Sequence, residues 1–212
     1  MEIIRQGRNI IIQPNVHRAT LVWLHGLGDT AEGFLPVFKA RPLHEGLKYV
    51  LLTAPMREVT ANFNMRMPSW YDIKDFSVRK MNPQVTESAQ IVSEVLDQER
   101  EAGKPVLLGG FSQGGGLSLY TGLVHYEHKL AGLISMSAYG MNYQPRADRT
   151  DVPIFLYNGK ADEVVKSEMA LNSYKILDGF NKTLHLEDSL GHVLSMRGLN
   201  ILKAWIAEVL AE

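Results

Sequence analysis

The sequence predicts an α/β fold in which a mostly parallel central sheet carries helices on both faces. Two observations lead to this class. Short apolar stretches alternate with amphipathic segments along the 212 residues, as in a three-layer α/β sandwich. Most of these stretches are continuous apolar runs, which are typical of strands buried on both faces of a parallel sheet.

The strands are predicted where such runs are bounded by glycine, proline or polar residues. The run at residues 49–53, for example, is closed by Ala54 and Pro55. By this criterion, strands are expected at residues 10–13, 21–25, 49–53, 106–111, 133–137, 154–158 and 183–187.

Two helices have clear signals. Asn82 is a favourable N-cap and Pro83 suits the first helical position, so a helix is expected to begin there and to end by Gly103. Its apolar face is formed by Val85, Ala89, Val92, Val95 and Leu96. The last helix has an apolar face formed by Leu199, Leu202, Trp205, Ile206 and Val209.

Composition argues against several classes of protein. With 22 basic and 23 acidic residues the net charge is −1, which argues against a nucleic-acid-binding surface. The chain has no cysteine, so a disulfide scaffold, a thiolate-bound metal and a cysteine nucleophile are excluded. No apolar run approaches the roughly 20 residues of a membrane-spanning helix, and no signal peptide is recognisable. We therefore expect one domain over residues 1–212 and a cytoplasmic location.

The segment at residues 55–81 shows neither helical nor strand periodicity. Long irregular segments often line binding sites, and this one could form a wall for an apolar substrate. The alternative is a loop that packs its own apolar groups onto the domain. The large side chains concerned are Phe63, Met65, Met67, Trp70, Tyr71 and Phe76.

The motif that carries chemistry lies in the middle of the chain. Residues 110–114 read Gly-Phe-Ser-Gln-Gly and match Gly-x-Ser-x-Gly. A predicted strand leads in and a helix-compatible stretch at residues 117–123 leads out, which is the setting of a nucleophile elbow. The turn is tight, so Gly110 and Gly114 leave room that larger side chains would fill. Ser112 is therefore the candidate nucleophile, and a glycine-rich helix–sheet contact is the alternative.

A nucleophilic serine needs a base, and the base needs an orienting acid. In hydrolases with this elbow the order along the chain is serine, acid, histidine. His192 lies in the turn between the last predicted strand and the last helix, where the base is expected. His125 and His128 follow the elbow helix too closely, and His185 lies within a predicted strand.

Asp162 is the candidate acid because it follows the predicted strand at residues 154–158. It is therefore expected at the carboxyl edge of the sheet, together with Ser112 and His192, where open α/β sheets bind their ligands. Glu163 is the nearest alternative. Less well placed are Asp148, Asp151, Asp178 and Asp188.

Acyl transfer also needs hydrogen-bond donors for an oxyanion. The amide of Gln113, directly after the serine, is one candidate. The other is the amide of Leu27, in an early loop where Gly26 and Gly28 let the backbone approach. The loss of one such donor costs about 2.7–4 kcal/mol of transition-state stabilisation.

The same loop contains a rival motif. Residues 26–31 fit Gly-x-Gly-x-x-Ala, a dinucleotide-binding fingerprint. That fingerprint requires an Asp or Glu at the end of the second strand, and residues 48–54 contain none. A nucleotide-binding function is therefore set aside.

Several motifs together resemble those of the acyl-protein thioesterase, lysophospholipase and carboxylesterase family. They are residues 24–29, Ala54-Pro55, residues 59–62, residues 67–73 and residues 110–115, in this order. The resemblance extends from about residue 20 to the C-terminus. It implies an α/β-hydrolase fold, a three-layer sandwich without a separate cap domain, in which residues 55–81 shape the substrate site.

The resemblance implies serine hydrolysis of carboxylic esters and of thioesters such as palmitoyl-cysteine on proteins. It also implies that Met65, Met67 and Trp70 contact the substrate, whereas Asp72 is expected to be structural. For the nucleophile, acid, base and oxyanion donors it implies the residues already selected above, namely Ser112, Asp162, His192, Leu27 and Gln113.

This chemistry requires no metal and no other cofactor. The expected partner is an acylated protein or a lipid ester, with transient contact at a membrane surface as a possibility. Two other functions are weighed against it, a general short-chain carboxylesterase and a catalytically silent binding module on the same fold. Asn158, Lys166 and residues 138–141 depart from the family pattern, which leaves the fine substrate preference open.

Overall fold

The computed structural model describes residues 1–75 and 81–211, which form an eight-stranded sheet, a two-stranded sheet and flanking helices. Three 3₁₀ turns, at Thr60–Asn62, Ala147–Arg149 and Lys175–Leu177, and a π turn at Thr121–His125 accompany them. The regular elements in chain order are β1 (Glu2–Gln6), β2 (Asn9–Gln13), β3 (Ala19–Leu24), α1 (Ala31–Ala40), β4 (Leu47–Leu52), β5 (Met56–Val59), β6 (Met65–Pro68), α2 (Pro83–Arg100), β7 (Val106–Phe111), α3 (Gln113–Tyr120), β8 (Gly132–Met136), β9 (Ile154–Gly159), α4 (Ser167–Tyr174), β10 (Lys182–Glu187) and α5 (Met196–Val209).

The large sheet is mostly parallel. Its strand order is β1-β2-β4-β3-β7-β8-β9-β10. Every pair from β4 to β10 is parallel, whereas β1 and β2 add an antiparallel edge. Because parallel strands end at the same edge of a sheet, the loops after β3, β7, β9 and β10 all emerge on one side. These loops carry the residues from which a site can be built.

The helices cover both faces of the sheet and form two apolar layers. Alternate residues of β3 point to opposite faces, so Val22 contributes to one layer and Trp23 to the other. Helices α2, α3 and α4 close the first layer, and α1 and α5 close the second. The predicted three-layer sandwich with a mostly parallel sheet is confirmed, and the described part of the chain contains no separate cap.

The predicted strands and helices are confirmed within about two residues. The strand at residues 106–111 has the predicted bounds, and α2 begins as expected with Asn82 accepting a hydrogen bond from the Gln84 amide at 2.9 Å. Three strands were not predicted. The edge strand β1 has only two apolar residues, Ile3 and Ile4, and β5 and β6 mix charged with apolar residues in four-residue runs.

The segment at residues 55–81 contains regular structure, contrary to the sequence-based expectation. Strands β5 and β6 pair antiparallel and form a hairpin. Its turn passes through Phe63 and Asn64, whose φ angles of 56° and 57° lie in the left-handed region. Such short strands give too few residues for a period to stand out. Phe76, named above with the large side chains of this segment, lies outside the described residues.

Candidate active site

Ser112 lies in the tight turn between β7 and α3. Its φ of 54° and ψ of −119° are rare for a residue with a side chain. The Ser112 amide donates to the Met136 carbonyl at 2.9 Å, and the Ser112 carbonyl accepts from the Gly116 amide at 3.1 Å. These bonds to β8 and α3 hold the strained turn, which presents the hydroxyl at the carboxyl edge of the sheet.

The turn is possible only because backbone segments approach each other closely. A Cβ at Gly114 would lie 2.3 Å from the Leu24 carbonyl oxygen, and one at Gly110 would lie 2.5 Å from the Gly114 carbonyl carbon. The atoms that would be contacted belong to the backbone, so relief of either contact would require a shift of the loop after β3 or of α3. The strand–turn–helix context is therefore as predicted, and its glycines are required sterically.

His192 lies between Ser112 and Asp162. Its Nε2 is 3.0 Å from Ser112 Oγ, and its Nδ1 is 2.7 Å from Asp162 Oδ2. The carboxylate fixes the tautomer, because Nδ1 donates to Asp162 and Nε2 is left to accept from the serine hydroxyl. The structure thus brings together the three side chains that sequence reasoning selected.

Asp162 is buried, and its carboxylate is fully engaged. Its other oxygen, Oδ1, accepts from the amides of Val164 and Val165 at 2.9 and 2.7 Å. With His192 this makes three donors, so the carboxylate is held in one orientation and its burial is compensated. The His192 ring packs against Phe111 at a centroid distance of 4.9 Å. The side chains of His192 and Asp162, the candidate base and acid, are therefore each held in one orientation by their neighbours.

The two candidate oxyanion donors border the same cleft as Ser112. Gln113 is the first residue of α3, so its amide has no carbonyl partner one turn earlier in the helix. Leu27 lies in the loop after β3, where Gly28 has a φ of +80° and donates to the Pro68 carbonyl at 2.9 Å. The loop passes close to the serine, since a Cβ at Gly26 would lie 3.3 Å from Ser112 Cβ.

His25 supports this loop from beneath. The Ala54 amide donates to His25 Nε2 at 2.9 Å, so the ring is neutral and Nδ1 donates to the Gly26 carbonyl at 2.6 Å. Burial lowers the pKa of His25, which keeps Nε2 available as an acceptor. Sequence reasoning missed this role, although His25 opens the loop that it had selected.

The side chain of Gln113 was also missed. It is buried, accepts from the Trp70 amide at 2.9 Å, and donates to the Tyr71 carbonyl at 2.7 Å and to Ser69 Oγ at 3.1 Å. The residue whose amide is a candidate oxyanion donor thus also fixes residues 69–71. A glutamine at a fully buried helix start was the available signal, since a buried amide needs partners.

The cleft beside Ser112 has a volume of about 320 Å³ and a mostly apolar lining. Apart from the candidate catalytic residues, the lining side chains come from the early loop, the segment after β6, the end of β7, the loops after β8 and β9, and helix α4. They are Leu27, Asp29, Ile73, Phe111, Tyr139, Val164, Val165 and Met169.

The substrate-binding residues expected from the sequence are not among those that line this cleft. Trp70 is fully buried, and its indole Nε1 donates to the His25 carbonyl at 2.9 Å. In this structure Trp70 has no exposed surface to offer a substrate, and it supports the early loop. Met65 is exposed on β6, and Met67 is half-buried next to Gly28. The Val164–Val165 pair, two residues after the candidate acid, was a better signal for an apolar wall.

The remaining polar candidates have structural surroundings. Asp72 accepts from the Thr60 amide at 2.7 Å and from Thr60 Oγ1 at 2.8 Å, so it fixes the hairpin and is structural, as expected. His185 packs against Phe155 within the sheet at a centroid distance of 5.5 Å. His125 and His128 follow α3 and do not line the cleft.

In residues 1–75 and 81–211, no three His, Asp or Glu side chains are arranged to hold a metal ion. No helix in these ranges is long and apolar enough to cross a membrane.

A second hollow of about 470 Å³ lies at the opposite edge of the sheet, between Pro14, His44 and Lys203. It holds none of the candidate catalytic residues.

Comparison with known proteins finds matches over nearly the whole chain. The sequence profile of the phospholipase/carboxylesterase family matches residues 6–210. Acyl-protein thioesterase 1 homolog 1 of Dictyostelium discoideum is 32% identical over 218 aligned positions, which cover 96% of each chain. Acyl-protein thioesterase 1 of Yarrowia lipolytica is 33% identical, with 92% of this chain and 94% of that protein covered.

Solved structures show the same fold. Acyl-protein thioesterase 2 of Zea mays has a TM-score of 0.86 at 24% identity, covering 97% of this chain and 100% of that one. SOBER1 of Arabidopsis thaliana has a TM-score of 0.84 at 26% identity, covering 91% of this chain and 99% of that one.

Proposed function

The chain belongs to the phospholipase/carboxylesterase family, and on this premise we propose that Ser112 is the nucleophile of a serine hydrolase that cleaves acyl thioesters and carboxylic esters. The observation that carries the proposal is the continuous hydrogen-bonded series from Ser112 through His192 to Asp162, with distances of 3.0 and 2.7 Å. A hydroxyl that borders a cleft, an imidazole that can accept its proton and a buried carboxylate, in this order, are what acyl transfer requires.

In the first half of the reaction, Ser112 Oγ attacks the acyl carbon and its proton passes to His192 Nε2. The negative charge on the former carbonyl oxygen is stabilised by the amides of Leu27 and Gln113. Collapse of this intermediate breaks the bond to the thiol or alcohol, which leaves with the proton from His192. The product is an ester of Ser112, and Asp162 stabilises the imidazolium while it exists.

The second half repeats these steps with water. His192 Nε2 takes a proton from a water molecule, whose oxygen attacks the acyl carbon of the Ser112 ester. The same two amides bear the developing charge. The bond to Oγ then breaks, Oγ regains its proton from His192, and the free acid leaves. Every proton removed is returned within the cycle, so no cofactor enters the balance.

We propose acylated proteins as the main substrates. The cleft next to Ser112 is mostly apolar, which suits an acyl chain, and the relatives reported above carry the name acyl-protein thioesterase. The described residues place no cap over Ser112, so a thioester borne by a large partner can approach. A lysophospholipid offers the same acyl chemistry, and the cytoplasmic location stays a prediction from the sequence.

One observation favours a second candidate, a short-chain carboxylesterase. The volume of about 320 Å³ lies near the lower end of the roughly 300–1,000 Å³ typical of ligand pockets. A cleft of this size is filled by a shorter acyl chain, and a longer chain would have to extend beyond it.

A chain-length series separates the two candidates. We expect kcat/KM to rise from acetyl to palmitoyl esters, by about fourfold for each additional methylene that leaves water, and an S-palmitoyl peptide to be cleaved. Ser112→Ala is the control for background hydrolysis. A maximum at about two to four carbons, without cleavage of the peptide, would favour the short-chain esterase because no further methylene would then be buried.

A further inference from the structure

Two polar side chains bracket the loop that carries His192, and a third, from β9, binds to them. Glu187 is the last residue of β10, and Ser195 is the N-cap of α5, so they stand at the two ends of that loop. The same Glu187 oxygen, Oε2, accepts from Ser195 Oγ at 2.5 Å and from the Tyr157 hydroxyl. One carboxylate therefore joins both ends of the loop to β9.

Strand β9 is also the strand that leads to the acid. Further hydrogen bonds join the loop after β9 to the loop after β10. The Lys160 amide donates to the Glu187 carbonyl at 2.8 Å, and the Ala161 amide donates to the Leu190 carbonyl at 3.0 Å. The segments that carry acid and base are thus bound to each other, and the Glu187 carboxylate supplies the side-chain contacts of this junction.

The charges around Glu187 favour its role as a hydrogen-bond acceptor. Hydrogen bonds from Ser195 and from Tyr157 lower the pKa of Glu187, so it is ionised and accepts from both. Arg197 of α5 adds a nearby positive charge, and the neighbouring Asp188 is paired with Lys160 at 2.5 Å. The cluster lies outside the proposed reaction steps.

Ser195 holds two elements at once. It donates to Glu187 and accepts from the Gly198 amide at 2.8 Å, so it caps α5 while fixing the end of the loop. Proton transfer requires His192 Nε2 to stay within hydrogen-bond reach of Ser112 Oγ. A displacement of about 1 Å in such a site costs on the order of 10²-fold in rate.

We propose that Glu187, with Tyr157 and Ser195, is a positioning residue that holds His192 against Ser112. The inference rests on the proposed function, since it assigns a purpose to the loop only if His192 is the base. The position of His192 affects the rate of the chemical step, whereas substrate binding depends on the cleft. Variants of these three residues should therefore change kcat and leave KM within about twofold.

The test separates positioning from helix capping by two substitutions at one position. Ser195→Asp retains an oxygen that caps α5 but replaces the donor to Glu187 by a carboxylate that Glu187 repels, whereas Ser195→Thr retains both functions. Tyr157→Phe and Glu187→Gln remove the other parts of the cluster. Ile154→Val, at the start of β9 and far from the loop, is the control for loss of packing alone. The melting temperature of each variant is measured together with kcat and KM on one ester substrate.

We expect Ser195→Asp and Glu187→Gln to lower kcat by about 10- to 100-fold, with Ser195→Thr close to wild type. The double variant of Tyr157→Phe and Glu187→Gln should lose little more than Glu187→Gln alone, because the residues act as a unit. Unchanged kcat in Ser195→Asp and Glu187→Gln, or the same loss in Ile154→Val, would overturn the inference. If the wild type hydrolyses no ester or thioester, the proposed function fails instead.

Discussion

At Gln113 the backbone and the side chain serve different purposes. The amide is a candidate oxyanion donor, and the side-chain amide binds Ser69, Trp70 and Tyr71. The backbone role could be predicted, because it depends only on the position after the candidate nucleophile. The side-chain role could not, because its partners lie more than 40 positions earlier in the chain and reach it only through the fold.

Replacement of Gln113 by leucine should therefore destabilise the protein strongly, although the two side chains are similar in size. The Trp70 amide would remain buried without its acceptor, which costs about 1–3 kcal/mol. Urea unfolding measures the loss. Gln98→Leu, on the exposed side of α2, is the matched control and should stay within about 0.5 kcal/mol of wild type. Equal effects of the two substitutions would contradict the role given to Gln113.

Protonation of His25 should make the stability of the protein depend on pH. Its pKa is lowered by burial from the ordinary value of 6.5, so above that pH it is neutral in both the folded and the unfolded chain. As the pH falls below 6.5, the unfolded chain takes up a proton that the folded chain binds less readily. The contribution of neutral His25 is therefore complete at neutral pH and is lost in acid.

We expect the free energy of unfolding to be lower at pH 5 than at pH 7.5, and this loss to be smaller in His25→Gln. Burial also lowers the pKa of His17 and of His125, so part of the loss remains in that variant. His125→Gln is the control, and it should remove less of the pH dependence because His125 is less buried. Urea unfolding at the two pH values measures these differences. An identical loss in wild type and His25→Gln would refute the assignment.

At the scale of elements, the nucleophile elbow depends on contact between the start of α3 and the end of β3. Sequence context was sufficient to predict this element, because the glycines, the strand before them and the helix after them form one local pattern. The sequence does not show which backbone carbonyls these glycines face. A Cβ at Gly114 would lie 2.3 Å from the Leu24 oxygen, whereas the nearest atom for Gly116 is the Tyr139 oxygen at 3.0 Å.

Alanine substitutions at these two positions form a matched pair. Both glycines lie in α3, so alanine gains the same helix propensity of about 1 kcal/mol at each. Gly114→Ala should nevertheless destabilise the protein by about 3 kcal/mol or prevent folding, whereas Gly116→Ala should stay within about 1 kcal/mol of wild type. Thermal unfolding of both variants measures this. Similar melting temperatures would show that the backbone at Gly114 can yield.

The hairpin of β5 and β6 could not be predicted from the local sequence. Its strands are four residues long and expose Met56 and Met65, so neither length nor alternation marks them as strands. Trp70, a few residues further on, was interpreted as a substrate contact because it is large and lies in an irregular segment. Its burial next to His25 depends on packing between distant segments, which composition does not reveal.

At the scale of the whole molecule, the parallel sheet explains why residues so far apart can meet. Ser112, Asp162 and His192 each follow a parallel strand, so knowing the strands was enough to predict that they share one edge. The cleft is different, because its walls come from six separate segments of the chain. Their approach depends on loop conformations, and therefore Ile73, Tyr139 and Met169 could not be selected from the sequence.

The proposed reaction depends on Ser112 acting as the nucleophile. A fluorophosphonate probe reacts with activated serines and leaves a phosphonyl group on the serine oxygen. Incubation of the folded protein with the probe, followed by mass spectrometry of its peptides, identifies the labelled residue, and Ser112→Ala is assayed in parallel. We expect one label on Ser112, none on the variant, and a loss of about 10⁶-fold in kcat for the variant. Absence of label on the folded wild type, or equal labelling of Ser112→Ala, would contradict the account.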